Sequence, residues 1–71
     1  MTETLLNRLK EERERLGLTQ AVLAERVGVS RKTINTVENG IFIPSTILAL
    51  KLAAVLERPV EALFRIGHSP R

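Results

Sequence analysis

The side chains best suited to bind another molecule come directly after Ser30, where two basic and two small polar residues lie close together. They are Arg31, Lys32, Asn35 and Thr36. These residue types can donate to or accept from base edges and phosphates, and arginine can make a bidentate contact with guanine. A helix beginning after Ser30 would add oriented N–H groups and the positive end of its dipole. We therefore expect chemistry suited to duplex DNA, with a solvated basic surface as the alternative for Arg31 and Lys32.

Two short helices with a tight bend between them are predicted to position these side chains. Between Gln20 and Asn39, apolar residues recur at helical spacing, stop at Gly28 and resume after Ser30. Thr19 and Ser30 can cap the two helices, and Gly28 can adopt a positive φ at the end of the first. The inward-facing residues are expected to be Leu23, Ala24, Val27, Val29, Ile34 and Val37. The pattern predicts a helix-turn-helix, and a helix about 10–12 Å across fits the ~12 Å major groove of B-DNA.

Three further helices are predicted around this pair, which makes the fold all-α with five helices. The first is expected over about 5–16, and the fourth over about 47–56 with Ser45 or Thr46 as its cap. A short fifth helix should begin after Pro59 and run through Phe64. The ends, Met1 to Thr4 and Gly67 to Arg71, are expected to lie outside an ordered core of about 5–66. No repeat or linker divides residues 1–71, so we expect a single domain.

Composition disfavours several classes of function. The chain has 71 residues, a net charge of +3, no cysteine and one histidine. Disulfides and thiolate metal sites are excluded, and no paired carboxylates suggest acid–base chemistry, so we expect neither an enzyme nor a cofactor, metal or small-molecule site. The first residues do not resemble a signal peptide, and no apolar stretch reaches the ~20 residues that span a bilayer. We therefore expect a cytoplasmic, nucleoid-associated protein.

The chain resembles a known family of regulators over about residues 5–66. The stretch LGLTQAVLAERVGVSRKTINTVENG, followed by PST, an apolar run and VEALF, is similar to the XRE family of helix-turn-helix regulators, which includes the phage repressor and Cro proteins. The resemblance implies a five-helix, lambda-repressor-like DNA-binding domain. It also implies a dimer that binds double-stranded DNA at an inverted-repeat operator. We therefore expect a small transcriptional regulator. Members of this family most often act as repressors, so repression is the expected role.

Site residues follow from the same resemblance. The residues expected to face bases in the major groove are Ser30, Arg31, Lys32, Asn35 and Thr36. Thr36 could equally be a spacer. The residues expected to contact phosphates are Thr19, Gln20 and Asn39. Gln20 could instead only cap its own helix. Arg13 and Glu38 match an arginine and a glutamate that form a partly buried ion pair in such proteins.

The region after the helix-turn-helix has more apolar side chains than one small core should need. One side of the fourth helix, Leu52, Ala53 and Leu56, is expected to pack against Val60, Leu63 and Phe64. The residues left without a partner are Ile41, Phe42, Ile43, Ile47, Leu48 and Val55. Because an exposed apolar patch usually marks an interface, we predict a twofold homodimer through these residues. Such a dimer would set two recognition helices about 34 Å apart, one turn of DNA.

Two alternatives to this dimer are open at this point. The same apolar residues could be buried within a monomer. They could also bind a different protein, as in an antitoxin-like interaction module that also binds DNA.

The chain departs from the family pattern at one corner. Relatives commonly carry an apolar residue at position 12, where this chain has Glu12. They also commonly close the fourth helix with a glycine, where this chain has Glu57 and Arg58. We therefore expect this corner to depend on Pro59.

Overall fold

Five helices and a two-stranded sheet make up the part of the chain described by the computed structural model, residues 3–68. The helices are α1 (Leu9–Arg15), α2 (Gln20–Val27), α3 (Arg31–Glu38), α4 (Thr46–Leu56) and α5 (Val60–Leu63), and the strands are β1 (Glu3–Asn7) and β2 (Phe64–His68). Within this range, no helix has the length and apolar character needed to cross a membrane.

The helix-turn-helix, α2 and α3, begins and ends where local chemistry predicts. The Thr19 hydroxyl accepts from the backbone N–H of Val22 at 3.1 Å, and Ser30 does the same for Thr33 at 3.1 Å. Gly28 ends α2 with a φ of 77°, a conformation that costs a glycine little. These caps satisfy N–H groups that a helix end would otherwise leave unpaired, so the prediction of both helices is confirmed.

The sheet corrects the all-α prediction. Strand β1 pairs antiparallel with β2, with Leu5 opposite Ile66 and Asn7 opposite Phe64. The first helix was expected from Leu5, but it begins only at Leu9, where the Asn7 side chain accepts from the Leu9 N–H at 3.0 Å. Residues 3–7 form hydrogen bonds with the other end of the described chain instead of with a helical turn of their own.

The ends of the ordered core were also predicted wrongly. Glu3 and Thr4 lie in β1, and Gly67 and His68 in β2, although both segments were expected to be irregular. Helix α5 correspondingly stops at Leu63, and Phe64 opens the strand. The rest of the predicted irregular ends, Met1, Thr2 and 69–71, lies outside the described residues.

An almost entirely aliphatic core joins the five helices to the sheet. Its members are Leu9, Leu23, Ala24, Val27, Ile34, Val37, Leu48, Leu52, Ala53, Leu56, Leu63 and Phe64. The residues predicted to face inward from α2 and α3 are all in this set except Val29, which is half-buried against it. The inward side of α4 is also as predicted, with one addition, Leu48. This core fixes one face of α3 and leaves the opposite edge to solvent.

Candidate nucleic-acid interface

Helix α3 divides sharply into a buried face and an exposed edge. Ile34 and Val37 are 0% and 1% exposed, whereas Arg31, Lys32 and Asn35 are exposed and Thr36 is half-buried. The separation follows from the helical period, since residues three and four apart share a face. The core therefore leaves Arg31, Lys32 and Asn35 exposed on one edge of α3, with Thr36 half-buried beside them.

The two basic residues of this edge are not engaged elsewhere. Among residues 3–68, neither Arg31 nor Lys32 takes part in a side-chain hydrogen bond or a salt bridge. The one carboxylate on α3 belongs to Glu38, which pairs with Arg13 on the other side of the helix. The exposed edge of α3 thus has two positive charges next to the positive end of the helix dipole.

Asn35 and Thr36 keep part of their hydrogen-bonding capacity. The Asn39 Nδ2 donates to the Asn35 Oδ1 at 3.3 Å, which leaves the Asn35 Nδ2 and one oxygen lone pair available. The Thr36 hydroxyl donates to the carbonyl of Thr33 at 3.0 Å, so its methyl group and oxygen lone pairs remain. An asparagine with both amide groups accessible is suited to the N6 and N7 edge of adenine.

Ser30 is exposed, but its hydroxyl is occupied at the helix start. Besides accepting from the Thr33 N–H, it lies 3.0 Å from the Thr33 hydroxyl. Ser30 therefore caps α3 first. Any contact with a base would be made in addition to this cap.

The start of α2 lies beside the end of α3. Thr19 is exposed and caps α2, so Gln20 is not needed for that role. Gln20 instead donates from Nε2 to the Glu38 Oε1 at 3.0 Å. This bond joins the two helices and still leaves one amide hydrogen and the amide oxygen of Gln20 for another partner.

Arg13 and Glu38 form an ion pair that joins α1 to α3. The Arg13 Nε donates to Glu38 Oε2 at 2.7 Å, Nη2 donates to Oε1 at 3.2 Å, and Nη1 donates to the carbonyl of Leu18 at 2.9 Å. The hydrogen bonds to Glu38, and then its charge, raise the pKa of Arg13 against the opposing effect of burial. The guanidinium therefore stays protonated and α3 is fixed against α1.

A second exposed feature is apolar. Ile41, Phe42, Ile43 and Ile47 are 76%, 47%, 70% and 68% exposed, and Leu50, which sequence reasoning missed, is 57% exposed. We call these five residues the apolar patch. Two of them, Ile43 and Leu50, line a hollow of about 290 Å³ together with Leu5, Ala49 and Phe64.

Two residues expected in this patch lie elsewhere. Leu48 is 7% exposed and belongs to the core, so the prediction that it lacks a partner within the monomer is wrong. Val55 is half-buried and packs against the core. Because α4 is apolar nearly all round, with Lys51 as its one charged residue, its sequence pattern did not show how far the buried face extends.

Sequence reasoning also missed Asn7. Its Nδ2 donates to the carbonyl of Val37, in the last turn of α3, at 3.0 Å. The sequence pattern placed Asn7 inside the predicted first helix, so its bond to the Leu9 N–H was not anticipated either. The contact with α3 depends on the tertiary fold and had no local signal.

Several known proteins are similar to this chain over most of its length. A helix-turn-helix family model matches residues 9–63, a range that includes all five helices. An uncharacterized HTH-type transcriptional regulator from Methanothermobacter thermautotrophicus is 51% identical over 57 residues, which cover 79% of this chain and 83% of that protein. The uncharacterized HTH-type transcriptional regulator YgzD from Bacillus subtilis is 41% identical over 58 residues, which cover 82% of this chain and 88% of that protein.

A solved structure has the same fold. The restriction-modification controller protein C.AhdI from Aeromonas hydrophila superposes with a TM-score of 0.73 at 36% sequence identity, covering 78% of this chain and 83% of that one.

Proposed function

The chain belongs to the XRE-type helix-turn-helix family of DNA-binding transcriptional regulators, which are not enzymes, and we propose that it binds a specific duplex sequence as a small dimeric repressor. In this proposal α3 enters the major groove. The observation that carries it is the exposed edge of α3, where Arg31 and Lys32 have no partner among the described residues. Phosphates and base edges would supply those partners.

Base reading is assigned to the exposed edge. Arg31 can donate to guanine O6 and N7, and Asn35 can use its free Nδ2 and its oxygen on adenine. Lys32, the next residue of α3, can read an adjacent base or pair with a phosphate. The methyl group of Thr36 can contact a thymine methyl, and Ser30 can add a contact while it caps the helix.

Phosphate contacts are assigned to the sides of this edge. Thr19 and Gln20 lie at the N-terminus of α2, where free backbone N–H groups favour an anion. Asn39 lies at the other end of α3 and already donates to Asn35, so a phosphate there would also orient the Asn35 amide. These contacts supply affinity that falls steeply with salt, whereas the α3 edge supplies specificity.

The apolar patch is assigned to a twofold homodimer. No charged residue occurs from Ile41 to Leu50, so a second copy would meet this surface without burying an unpaired charge. Large exposed side chains of this kind usually mark an interface. The dimer would place the two α3 helices about 34 Å apart, which matches an inverted-repeat operator.

Backbone hydrogen bonds connect the apolar patch to the exposed edge of α3. The backbone N–H groups of Ile41 and Phe42 donate to the carbonyl of Thr36 at 2.9 and 3.2 Å. Subunit contact through the patch would therefore fix the position of α3 as well as the distance between the two sites.

The exposed patch also supports a second candidate function, an antitoxin-like module in which another protein covers the patch. The two candidates differ in the purified chain. If the chain forms a homodimer, it should sediment as a dimer at tens of micromolar. If it is an antitoxin-like module, it should sediment as a monomer and form a complex only when the other protein is added.

Selection of bound duplexes from a random pool tests the main proposal. We expect an enriched palindromic motif whose half-sites are about one helical turn apart. A parallel selection with the Arg31→Ala/Lys32→Ala double variant controls for binding by general charge. Recovery of no motif by the wild-type chain would contradict the proposal.

A further inference from the structure

We infer that Asn7 is a positioning residue for DNA reading, because its side-chain amide fixes the last turn of α3 against the sheet and α1. The inference depends on the proposed role of α3 in the major groove. It extends that proposal to a residue that lies outside the helix-turn-helix and contacts no DNA in it.

The backbone of Asn7 is firmly attached. Asn7 is the last residue of β1 and pairs with Phe64 in β2. The next backbone N–H, that of Arg8, donates to the carbonyl of Leu63 in α5 at 2.9 Å. The side chain of Asn7 therefore extends from a backbone segment that is hydrogen-bonded to β2 and to α5.

Both ends of the Asn7 amide are used. Oδ1 accepts from the N–H of Leu9, the first residue of α1, at 3.0 Å, and Leu9 is fully buried. Nδ2 donates to the carbonyl of Val37 at 3.0 Å and approaches the carbonyl of Glu38 at 3.5 Å. Because an amide is planar, the bond to Leu9 directs the NH₂ group at the last turn of α3.

This bond to α3 differs in kind from the others at that end. The carbonyls of Thr36 and Val37 also accept from the backbone of the loop that follows, Ile41 and Gly40. Those donors move with α3. Among the described residues, Asn7 supplies the side-chain hydrogen bond that connects a backbone carbonyl of α3 to another part of the fold.

The effect on DNA reading follows from the length of the helix. An α-helix of eight residues is about 12 Å long, so a tilt of about 10° about its middle moves each end by about 1 Å. Such a displacement takes a side chain out of hydrogen-bond range of a base edge. Phosphate contacts by flexible side chains tolerate the same movement better, so specificity should suffer more than general affinity.

An aspartate at this position separates the two roles of the amide. Asn7→Asp keeps an oxygen that accepts from the Leu9 N–H, but it directs a carboxylate oxygen, which cannot donate, at the Val37 carbonyl. Leu16→Ala is the control, since Leu16 packs against the core at the end of α1 and its truncation lowers stability without removing this bond.

The measurement is the dissociation constant for a scrambled duplex divided by that for a selected duplex of the same length. Both are measured at one salt concentration and at a temperature where circular dichroism shows that each variant is folded. We expect the ratio to fall about tenfold in Asn7→Asp, the effect of losing roughly one base contact, and to stay unchanged in Leu16→Ala.

A wild-type ratio in folded Asn7→Asp would overturn the inference. If that variant does not fold, Asn7→Ser takes its place, because serine keeps a capping oxygen but is too short to reach Val37, and the same two outcomes apply. Lack of discrimination by the wild-type chain itself would instead contradict the proposed function, so the two failures can be told apart.

Discussion

The guanidinium of Arg13 and the carboxylate of Glu38 connect α1 to α3 through two hydrogen bonds, of 2.7 and 3.2 Å. Their side chains are only 10% and 3% exposed. The same carboxylate accepts from Gln20 at 3.0 Å. This buried ion pair and Gln20 therefore join α1, α2 and α3. The contact lies at the C-terminal end of α3, the helix proposed to read DNA.

Removal of Arg13 should be strongly destabilising. Arg13→Met keeps an unbranched side chain but leaves the Glu38 carboxylate buried with only Gln20 as a partner, and we expect a loss of about 3–5 kcal/mol in the free energy of unfolding. Urea unfolding measures it. Glu25→Gln, which removes an exposed charge from α2, is the control and should change stability by less than about 0.5 kcal/mol. A loss below about 1 kcal/mol in Arg13→Met, the value of an exposed pair, would contradict this account.

Glu12 should make stability depend on pH. Its carboxylate accepts from Arg15 at 2.6 Å and from Arg58 at 3.0 Å, and these hydrogen bonds, Arg15 first, lower the pKa of Glu12 below its ordinary value of 4.5. Because the folded pKa is the lower one, this contribution is fully present above pH 4.5 and is lost as the pH falls through the folded pKa.

Comparison with Glu12→Gln tests this dependence. The difference in the free energy of unfolding between the wild-type chain and Glu12→Gln should be largest at neutral pH and should shrink as the pH is lowered past 4.5. Urea unfolding over a pH series measures it. A difference that stays constant with pH would show that the ionised carboxylate contributes nothing.

Helix α4 ends at a residue with a strained backbone conformation. Glu57 has a φ of 58°, a left-handed value that costs a residue with a Cβ roughly 1–2 kcal/mol. We expect Glu57→Gly to stabilise the chain by about 1 kcal/mol and to raise Tm by roughly 4–8 °C. Thermal unfolding measures the shift, and Glu57→Ala, which removes the charge but keeps the Cβ, should not reproduce it. Equal effects of both substitutions would assign the change to charge instead of backbone strain.

The elements that could be predicted from sequence are those whose signals are local. Thr19 and Ser30 lie directly before α2 and α3, and Gly28 lies directly between them, so caps and turn could be recognised without the rest of the fold. Strand β1 had no such signal, because it forms only by pairing with β2 at the other end of the described chain. Leu5 and Leu6 therefore fitted a helical pattern equally well.

The candidate site was predictable to a similar extent. The residue types on the exposed edge of α3 follow from its period once Ile34 and Val37 are placed inside. The bonds that hold α3 in place, from Gln20 to Glu38 and from Asn7 to Val37, join residues far apart in the chain. Neither partner choice could be deduced from residue spacing.

A charge in the apolar patch should separate the subunits. Ile47 is 68% exposed, so Ile47→Lys should not disturb the fold, but in a twofold dimer it would bury two like charges. We expect the variant to sediment as a monomer at tens of micromolar, a concentration at which we expect the wild-type chain to be a dimer. Leu6→Lys is the control, since Leu6 lies on β1 outside the patch, and it should remain dimeric. A dimeric Ile47→Lys would place the interface elsewhere.

We propose that the exposed edge of α3 reads base sequence. Dissociation constants of the wild-type chain, Arg31→Ala and Lys32→Ala for a selected and a scrambled duplex test it most directly, with Lys10→Ala as a control that removes one exposed charge from α1. We expect each α3 variant to lose about 1–3 kcal/mol on the selected duplex and much less on the scrambled one, while Lys10→Ala discriminates as the wild-type chain does. Unchanged discrimination in both α3 variants would contradict the claim.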